Sequence, residues 1–366
     1  MPDSILRMDQ VGSLIRPAKL LGAREMYKAR LLSREELRAY EDEAILEALQ
    51  LQKDVGIGIF ADGEMRRDSF MTNVSENVEG FEEHYPVTQQ KRPDGSIAYV
   101  EGHGKAVAGK LRPIRRIAGP EAEFLLKHSP GPFKITILSP GGTAGSYRVG
   151  VTDKVYPTPA DMTRDMVAII TDEMKKLVAE GVTYIQLDED LPGLNEGWRE
   201  QQIAQGNDPD KLLEDAIAAD NACWDAITEP ITRAKHVCRG NRTAWGGGRG
   251  GYDWVAEKVF NLLHVDRLLL EYDTERAGGF EPLRFVPKGK VIVLGLVSSK
   301  TPKLESQDDL LRRIEEASKS CPIEQLALSA QCGFQSAANA DGAFMTMDDE
   351  KRKLELIAET ARKVWG

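Results

Sequence analysis

Eight short runs of β-branched and aliphatic residues recur along the 366-residue chain, and the segments between them carry helical periodicity. The predicted strands are Arg7–Ser13, Gly58–Glu64, Lys134–Ser139, Tyr184–Glu189, Ala234–Gly240, Arg267–Asp273, Val291–Ser298 and Gln325–Gly333. The predicted helices are Arg34–Val55, Pro159–Gly181, Lys211–Arg233, Trp254–Leu263, Gln307–Ser320 and Asp348–Val364. Mostly apolar strands that alternate with amphipathic helices indicate an α/β fold with a parallel sheet covered by helices. Eight such units predict a (β/α)8 TIM barrel, although a doubly wound open sheet fits the periodicity nearly as well.

Residues 77–131 interrupt this alternation. They contain Asp94-Gly95 between two extended stretches, which is a strong signal for a β-hairpin. Because the segment is too short for a core of its own, we expect a hairpin-containing insertion after the second strand. Residues 1–366 then form a single barrel domain.

Four residues in the last third of the chain lie at or near the carboxyl ends of predicted strands: His236, Cys238, Glu271 and Cys332. His236 and Cys238 are two apart, so on a strand their side chains point to the same face. Taken alone, such a pair is more often a buried histidine beside a small apolar cysteine. In a barrel, however, the carboxyl ends of all strands meet on one rim, so the four side chains are expected to converge. One imidazole, two thiolates and a carboxylate form a typical zinc set, and the thiolates select against magnesium and calcium.

Other predicted strands also end in polar residues, namely Ser13 after Gly12, Glu64, Asp188 with Glu189, and Ser298 with Ser299. Buried carboxylates are costly unless they are paired or functional, so this rim is expected to form a polar pocket for an amine or a zwitterion. The competing interpretation is that these residues are helix caps and surface ion pairs. The glycine-rich segment 244–254 lacks the spacing of a phosphate-binding loop, and we interpret it as a mobile loop beside the rim.

Charge and composition exclude several classes of partner. The formal net charge of −10 argues against nucleic acid or an anionic membrane as the main partner. No apolar run approaches the roughly 18 residues that a membrane-spanning helix needs, and the start of the chain does not resemble a signal peptide. Four cysteines do not make a disulfide framework in a chain of this length. We therefore expect a cytoplasmic protein, monomeric or homo-oligomeric, that acts on small molecules.

Five motifs in this order resemble those of cobalamin-independent methionine synthases, and more closely those of short stand-alone relatives that keep only the catalytic barrel. They are VGSLIRP near the start, DGEMRRDSF at the second strand, IQLDE at the fourth, HVCRGN at the fifth and SAQCGF at the eighth. In that family, zinc is held by the His and Cys of a His-x-Cys pair, a Glu one strand later and a Cys before a Gly. The resemblance therefore implies zinc ligands at His236, Cys238, Glu271 and Cys332.

The resemblance also implies how an acceptor thiol would bind. The family holds homocysteine with a Gly-Ser turn, a Glu after a Gly, and the Asp of an Asp-Glu pair, which match Gly12, Ser13, Glu64 and Asp188. Glu64 and Asp188 are thus the candidate catalytic residues, and the strand-end Ser298 joins this set as a candidate substrate-binding residue. Zinc would deliver the thiol as a thiolate that attacks an electrophilic carbon. We predict that Glu271, the hard and weak ligand, loosens or leaves when the substrate sulfur arrives.

Two departures from the family concern the alkyl donor. Methionine synthases carry a tryptophan after the third strand that stacks on the pterin ring, whereas this chain reads SPGGTAGSYRVG, with Tyr147 as the available aromatic residue. The proline that usually follows the Asp-Glu pair is also absent.

The sequence therefore predicts a zinc-dependent thiol alkyltransferase, with transfer of a methyl group from a small donor to homocysteine as the first hypothesis. Zinc-activated addition of a thiol to an epoxide or another small electrophile, as in coenzyme M transferases, is the second. A metal-free decarboxylase of the uroporphyrinogen type and a zinc-stabilised accessory subunit are the remaining alternatives.

Overall fold

The computed structural model describes residues 5–84, 87–91, 97–101, 104–189, 191–192, 194, 196–239, 250–336 and 345–366. Within these residues the chain forms ten strands and ten α-helices. The strands are β1 (Val78–His84), β2 (Val87–Lys91), β3 (Ile97–Glu101), β4 (Gly104–Pro113), β5 (Ile135–Leu138), β6 (Tyr184–Glu189), β7 (Thr232–Val237), β8 (Arg267–Glu271), β9 (Val291–Val297) and β10 (Leu326–Ala330). The helices are α1 (Ala18–Lys28), α2 (Arg34–Val55), α3 (Thr72–Ser75), α4 (Gly119–His128), α5 (Pro159–Ala179), α6 (Glu196–Ala204), α7 (Pro209–Asp225), α8 (Ala256–Leu262), α9 (Gln307–Ser318) and α10 (Met347–Trp365).

Six of these strands form one parallel sheet in the order β10–β9–β8–β7–β6–β5. Each neighbouring pair is parallel. Strands β5, β6, β8 and β10 are buried along their full length, because helices cover the sheet and leave no solvated face. The prediction of an α/β fold with a mostly parallel sheet is confirmed.

The first two predicted strands touch the edges of this sheet without forming ladders. Met8 makes an isolated parallel bridge with Leu328 in β10, and Phe60 makes one with Phe133 just before β5. Each edge of the six-stranded sheet is therefore extended by a single bridge, where the sequence predicted a full strand.

Side chains bond backbone groups in both of these bridging segments. Nε2 of Gln186 donates to the carbonyl of Val11 at 2.7 Å. At the other edge, the side-chain oxygen of Gln52 accepts from the Ala61 N–H at 2.9 Å, and its Nε2 donates to the Ala61 carbonyl at 2.8 Å. These buried backbone groups therefore have side-chain partners.

The buried apolar residues fall into two separate clusters. The larger cluster fills the space between the sheet and the helices. The smaller takes one residue from seven of the eight predicted strands, namely Val11, Ile59, Tyr184, Ala234, Leu269, Val293 and Ala327. The remaining predicted strand, at residues 134–139, contributes Lys134, whose fully buried ammonium group lies 5.7 Å from the Tyr184 ring and donates to Asp9 at 2.8 Å.

Helix boundaries follow from the local sequence. Helix α2 begins with a capping box of Ser33 and Glu36 and ends at Gly56, whose φ of 84° closes the helix in the left-handed conformation. Helices α5 and α7 begin at Thr158 and Asp208, whose side chains cap the first turn, each followed by a proline. None of the helices in the described ranges combines the length and apolar character that a membrane crossing requires.

Two antiparallel strand pairs lie between the Phe60 bridge and β5. Strand β1 pairs with β4, and β2 pairs with β3. The turn predicted at Asp94-Gly95 falls outside the described residues. The range 77–131 also contains helix α4, and its role as an insertion in one domain stays a prediction.

Candidate metal centre and substrate pocket

The carboxyl ends of three strands carry the four predicted metal ligands. His236 lies in β7 and Cys238 follows it, Glu271 is the last residue of β8, and Cys332 follows β10. One ligand atom from each residue lies within 4.8 Å of the other three. Cys238 is half-buried and the other three are buried.

The geometry of these four residues fits a metal ion. The Sγ atoms of Cys238 and Cys332 are 3.7 Å apart. Two thiolates bound tetrahedrally to one zinc, with Zn–S bonds of about 2.3 Å, place their sulfurs about 3.8 Å apart. Nδ1 of His236 is hydrogen-bonded to the Leu269 carbonyl at 3.2 Å, whereas its buried Nε2 has no hydrogen-bond partner within the described part of the chain. A carbonyl on one ring nitrogen, with the other left free, is the usual setting of a metal-binding histidine. The four residues form a possible metal site.

The charges of this cluster are coupled. The hydrogen-bonded Cys238 thiol, and then the His236 ring, hold the pKa of Cys332 well below its ordinary value, although burial opposes them. Burial alone would lower the pKa of His236, but Cys332 and the carboxylates of Asp188 and Glu271 raise it to about 9. Burial and then Cys332 raise the pKa of Glu271. The cluster therefore favours a thiolate and attracts positive charge.

The carboxylate of Glu271 also contacts a group of charged side chains. Its Oε1 accepts from the backbone N–H of Arg239, and its Oε2 accepts from Lys300 and Arg276 at 3.2 Å each. Lys300 also donates to Asp273 at 3.1 Å. Both carboxylate oxygens of Glu271 thus have partners outside the ligand cluster.

Glu64 has a backbone conformation that is uncommon for a residue with a side chain. Its φ is 56°, directly after Gly63 with a φ of 67°, so the chain turns sharply at the end of the predicted strand. Oε1 of Glu64 accepts from the Thr136 hydroxyl at 3.1 Å and lies 3.4 Å from the Arg67 guanidinium. Its buried Oε2 has no partner among the described residues, so it is placed to accept a hydrogen bond from a ligand.

Gly12 and Ser13 lie in the same region, where Gly12 and Gly333 pack closely against neighbouring side chains. A Cβ on Gly12 would lie 3.0 Å from Oε1 of Glu64, and a Cβ on Gly333 would lie 2.0 Å from Oγ of Ser13. The carbonyl of Ser13 accepts from the N–H of Phe334 at 2.8 Å. Gly12 is therefore packed on Glu64, and Ser13 on the loop that carries Cys332, the last candidate metal ligand.

Asp188 stands opposite His236 in the register of β6 and β7. Nε2 of Gln186, two residues earlier on the same strand face, donates to Oδ1 of Asp188 at 2.6 Å. Burial raises the pKa of Asp188 to about 7, with His236 opposing the shift and Glu64 adding to it. This carboxyl group changes its charge near neutral pH, and a bound ammonium group would hold it ionised.

Ser298 is buried, but its polar groups are used elsewhere. Its hydroxyl donates to Asp273 at 2.8 Å and its backbone N–H donates to Glu305 at 2.9 Å. The structure thus joins Ser298 to Lys300 through Asp273, and its predicted role in substrate binding stays a prediction.

Four buried side chains of this region were missed by the sequence reasoning: Arg67, Thr136, Gln186 and Lys300. The sequence could have indicated Gln186, because it lies two residues before Asp188 on a predicted strand and so faces the same side. Thr136 alternates with the buried Lys134 in the same way. Arg67 lies within the motif DGEMRRDSF, but nothing in the sequence indicates what its side chain contacts. Lys300 follows a strand in a loop, where periodicity carries no information about contacts.

The predicted mobile loop 244–254 falls mainly outside the described residues. At its end, Tyr252 is buried, and its hydroxyl accepts from the N–H of Glu271 at 2.9 Å. This tyrosine fixes the backbone that presents the Glu271 carboxylate.

Comparison with known proteins identifies the family. The family described as "Cobalamin-independent synthase, Catalytic domain" has a model that matches residues 153–348. The uncharacterised protein YxjG of Bacillus subtilis is 34% identical over 366 residues, which cover 98% of this chain and 94% of the relative. This chain belongs to the cobalamin-independent synthase family. The resemblance carried by the five motifs is confirmed.

Other members of the cobalamin-independent synthase family match over most of their length. A methionine synthase of Sulfurisphaera tokodaii is 26% identical, with 90% of this chain and 86% of the relative covered. The solved structure of a B12-independent methionine synthase from Shewanella sp. W3-18-1 in complex with selenomethionine superposes with a TM-score of 0.74. That match has 21% identity and covers 98% of this chain and 97% of the other. The shared fold therefore extends well beyond residues 153–348.

Proposed function

We propose that this cobalamin-independent synthase is a zinc-dependent thiol methyltransferase that methylates homocysteine to methionine. The observation that carries the proposal is the ligand cluster, whose ligand atoms lie within 4.8 Å of one another. It has two sulfurs 3.7 Å apart, the Glu271 carboxylate, and a His236 Nε2 without a hydrogen-bond partner among the described residues. Two soft sulfur ligands favour zinc over magnesium or calcium. Bound zinc would lower the pKa of a thiol, so that the thiol reacts as a thiolate at neutral pH.

The polar side chains around Asp188 support an amino-acid thiol as the acceptor. Glu64 offers a buried carboxylate oxygen that has no partner among the described residues, and Asp188 a carboxyl group that an ammonium group would ionise. Gly12 packs on Glu64, and Ser13 packs on Gly333, the residue after Cys332. The names of the relatives agree, since one is a methionine synthase and the Shewanella structure holds selenomethionine, an analogue of the product.

In the proposed reaction, the acceptor sulfur forms the new S–C bond, and the donor leaves with the electron pair of the bond that breaks. Glu64 and Asp188 hold the amino group, and thereby orient the sulfur toward the donor. Among the four ligands we expect Glu271 to give way to the substrate sulfur. It is the hard ligand of the set, and Lys300 and Arg276 already contact its carboxylate.

We further propose that the eight predicted strands close into a (β/α)8 barrel formed by residues 1–366, with residues 77–131 as an insertion. The small apolar cluster supports closure, because it takes side chains from seven predicted strands and adjoins Lys134 of the remaining one. The isolated bridges at both edges of the six-stranded sheet extend it toward closure. In such a barrel the metal ligands and the pocket would share the carboxyl-terminal rim.

One observation favours a second candidate function. Tyr147, the aromatic residue available in place of the pterin-stacking tryptophan, donates its hydroxyl to the carbonyls of Tyr156 at 3.0 Å and Pro157 at 3.2 Å. These bonds tie the ring to the segment before α5. If the Tyr147 ring cannot stack on a pterin from this position, the donor is a smaller electrophile, and addition of a zinc-activated thiol to an epoxide is the second candidate.

Zinc-edge X-ray absorption on the purified protein tests both candidates. We expect a zinc ion with two sulfur neighbours, and a third sulfur on adding L-homocysteine. A third sulfur with coenzyme M but not with homocysteine would favour the epoxide reaction. Absence of zinc from the purified protein would refute the proposal. The metal-free decarboxylase would then be the leading alternative.

A further inference from the structure

Glu271 has two competing sets of partners. One is the ligand cluster with His236 and the two cysteines. The other is a pair of cations, since the nitrogens of Lys300 and Arg276 each lie 3.2 Å from Oε2 of its carboxylate. A carboxylate in such a place can exchange one set for the other with a small side-chain movement.

Lys300 is held in position independently of Glu271. Its side chain is 8% exposed and its ammonium group lies 3.1 Å from Asp273, whose side chain is 1% exposed. Asp273 in turn accepts from the Ser298 hydroxyl at 2.8 Å. Because both charges are largely removed from water, this pair is coupled far more strongly than a surface ion pair.

The charges balance in a way that suits an exchange. Two cations, Lys300 and Arg276, face two carboxylates, Glu271 and Asp273, so this group is neutral when Glu271 lies on it. If the carboxylate of Glu271 leaves the metal and a thiolate replaces it, the charge of the ligand set is unchanged. The displaced carboxylate then needs a cation nearby, because a buried unpaired charge is costly.

We propose that Lys300, assisted by Arg276 and oriented by Asp273, is a positioning residue that receives the Glu271 carboxylate when the acceptor thiol takes its place. The inference rests on the proposed function, because it requires a thiol that joins the ligand set. Lys300 stabilises the thiol-bound arrangement and weakens the arrangement in which Glu271 is a ligand. Removing it should therefore change metal binding and thiol binding in opposite directions.

The test is Lys300→Met, with zinc retention measured by competition with a chromophoric chelator and L-homocysteine affinity measured by calorimetry. We expect zinc to be held roughly tenfold more tightly and homocysteine to bind roughly tenfold more weakly. Lys303→Met, an exposed lysine of the same loop, is the matched control and should change neither. The double variant Asp273→Asn/Lys300→Met removes both charges of the pair and so leaves no unpaired carboxylate at Asp273. It should also bind zinc more tightly and homocysteine more weakly than the wild type.

A purely structural role, or a general field effect of Lys300, predicts something else. A damaged site would lose affinity for zinc and homocysteine together, which would overturn the proposal. In a Glu271→Gln background the Lys300→Met change should have no further effect on zinc retention, because there is no carboxylate to receive. If Lys300→Met changed zinc retention equally in the wild-type and Glu271→Gln backgrounds, Lys300 would act only through its charge, and the proposal would be wrong. A wild-type protein whose zinc never binds homocysteine would instead refute the proposed function.

Discussion

Glu350, in the first turn of α10, is a fully buried carboxyl group with a measurable consequence for stability. Its Oε1 accepts from the backbone N–H of Ile15 at 3.0 Å, and its Oε2 has no partner within the described residues. Burial raises the pKa of Glu350 from 4.5 to about 8. The folded protein therefore keeps this group protonated at neutral pH, whereas the unfolded chain ionises it.

The sign and size of the effect follow from linkage. The contribution of the neutral Glu350 carboxyl group to the free energy of unfolding is fully present below pH 4.5, where the folded and unfolded states are both protonated. It is lost as the pH rises toward the folded-state pKa of about 8, because only the unfolded chain ionises in this range. Each pH unit in this window lowers the free energy of unfolding by about 1.4 kcal/mol, which amounts to about 3 kcal/mol at pH 7. Glu350→Gln keeps an acceptor for Ile15 but cannot ionise. We expect it to raise the free energy of unfolding at pH 7 by about 2 to 3 kcal/mol, because the new amide nitrogen offsets part of the gain.

Urea unfolding of the wild type and Glu350→Gln at pH 5, 6, 7 and 8 measures this difference. It should be small at pH 5 and grow with a slope of about 1.4 kcal/mol per pH unit. Glu359→Gln, an exposed residue of the same helix, is the matched control and should follow the wild type at every pH. Parallel curves for Glu350→Gln and the wild type would show that burial does not hold this carboxyl group neutral.

Three further predictions concern the site. Cys332→Ser should lose most of the zinc and all transfer activity while circular dichroism and the unfolding midpoint stay near wild type; unfolding of the variant would mark the site as structural. Asp188→Asn should weaken L-homocysteine binding by about tenfold or more without loss of zinc. Binding of 3-mercaptopropionate, which has no amine, should be unchanged. Equal binding of homocysteine to the variant and the wild type would exclude an ammonium contact at Asp188. Gly333→Ala, whose methyl group would lie 2.0 Å from Oγ of Ser13, should destabilise the fold by about 1 to 3 kcal/mol in thermal unfolding. Gly22→Ala, with no atom within 4 Å, should instead be neutral or stabilising, and the same sign for both would contradict the packing argument.

The sequence predicted the parallel sheet well wherever strands are buried on both faces. Tyr184–Glu189 is a strand with the predicted bounds, and Arg267–Asp273 differs from the observed Arg267–Glu271 only at its end. Such strands read as continuous apolar runs, which are easy to recognise. Residues 7–13 and 58–64 form only single bridges, and the Gln186 side chain, distant in sequence, bonds the Val11 carbonyl in the first of these segments. A contact between residues distant in sequence does not affect the hydrophobic periodicity, so it cannot be predicted from that pattern.

The same contrast holds at the candidate site. The sequence predicted that His236, Cys238, Glu271 and Cys332 converge, because strand ends of one sheet must share an edge. The cations around Glu271 were not predicted, since Lys300 lies in a loop whose path depends on the whole fold.

If Glu64 binds the acceptor as proposed, its left-handed backbone sets stability against activity at this position. Its φ of 56° costs about 1 kcal/mol for a residue with a β-carbon, and glycine would adopt the same conformation freely. A library of variants selected only for heat resistance should therefore enrich glycine here and discard the pocket carboxylate. In a gene copy released from selection for catalysis, this is the position where we expect an early drift to glycine or asparagine. A glutamate that keeps this conformation despite its cost is what the proposed role in substrate binding predicts.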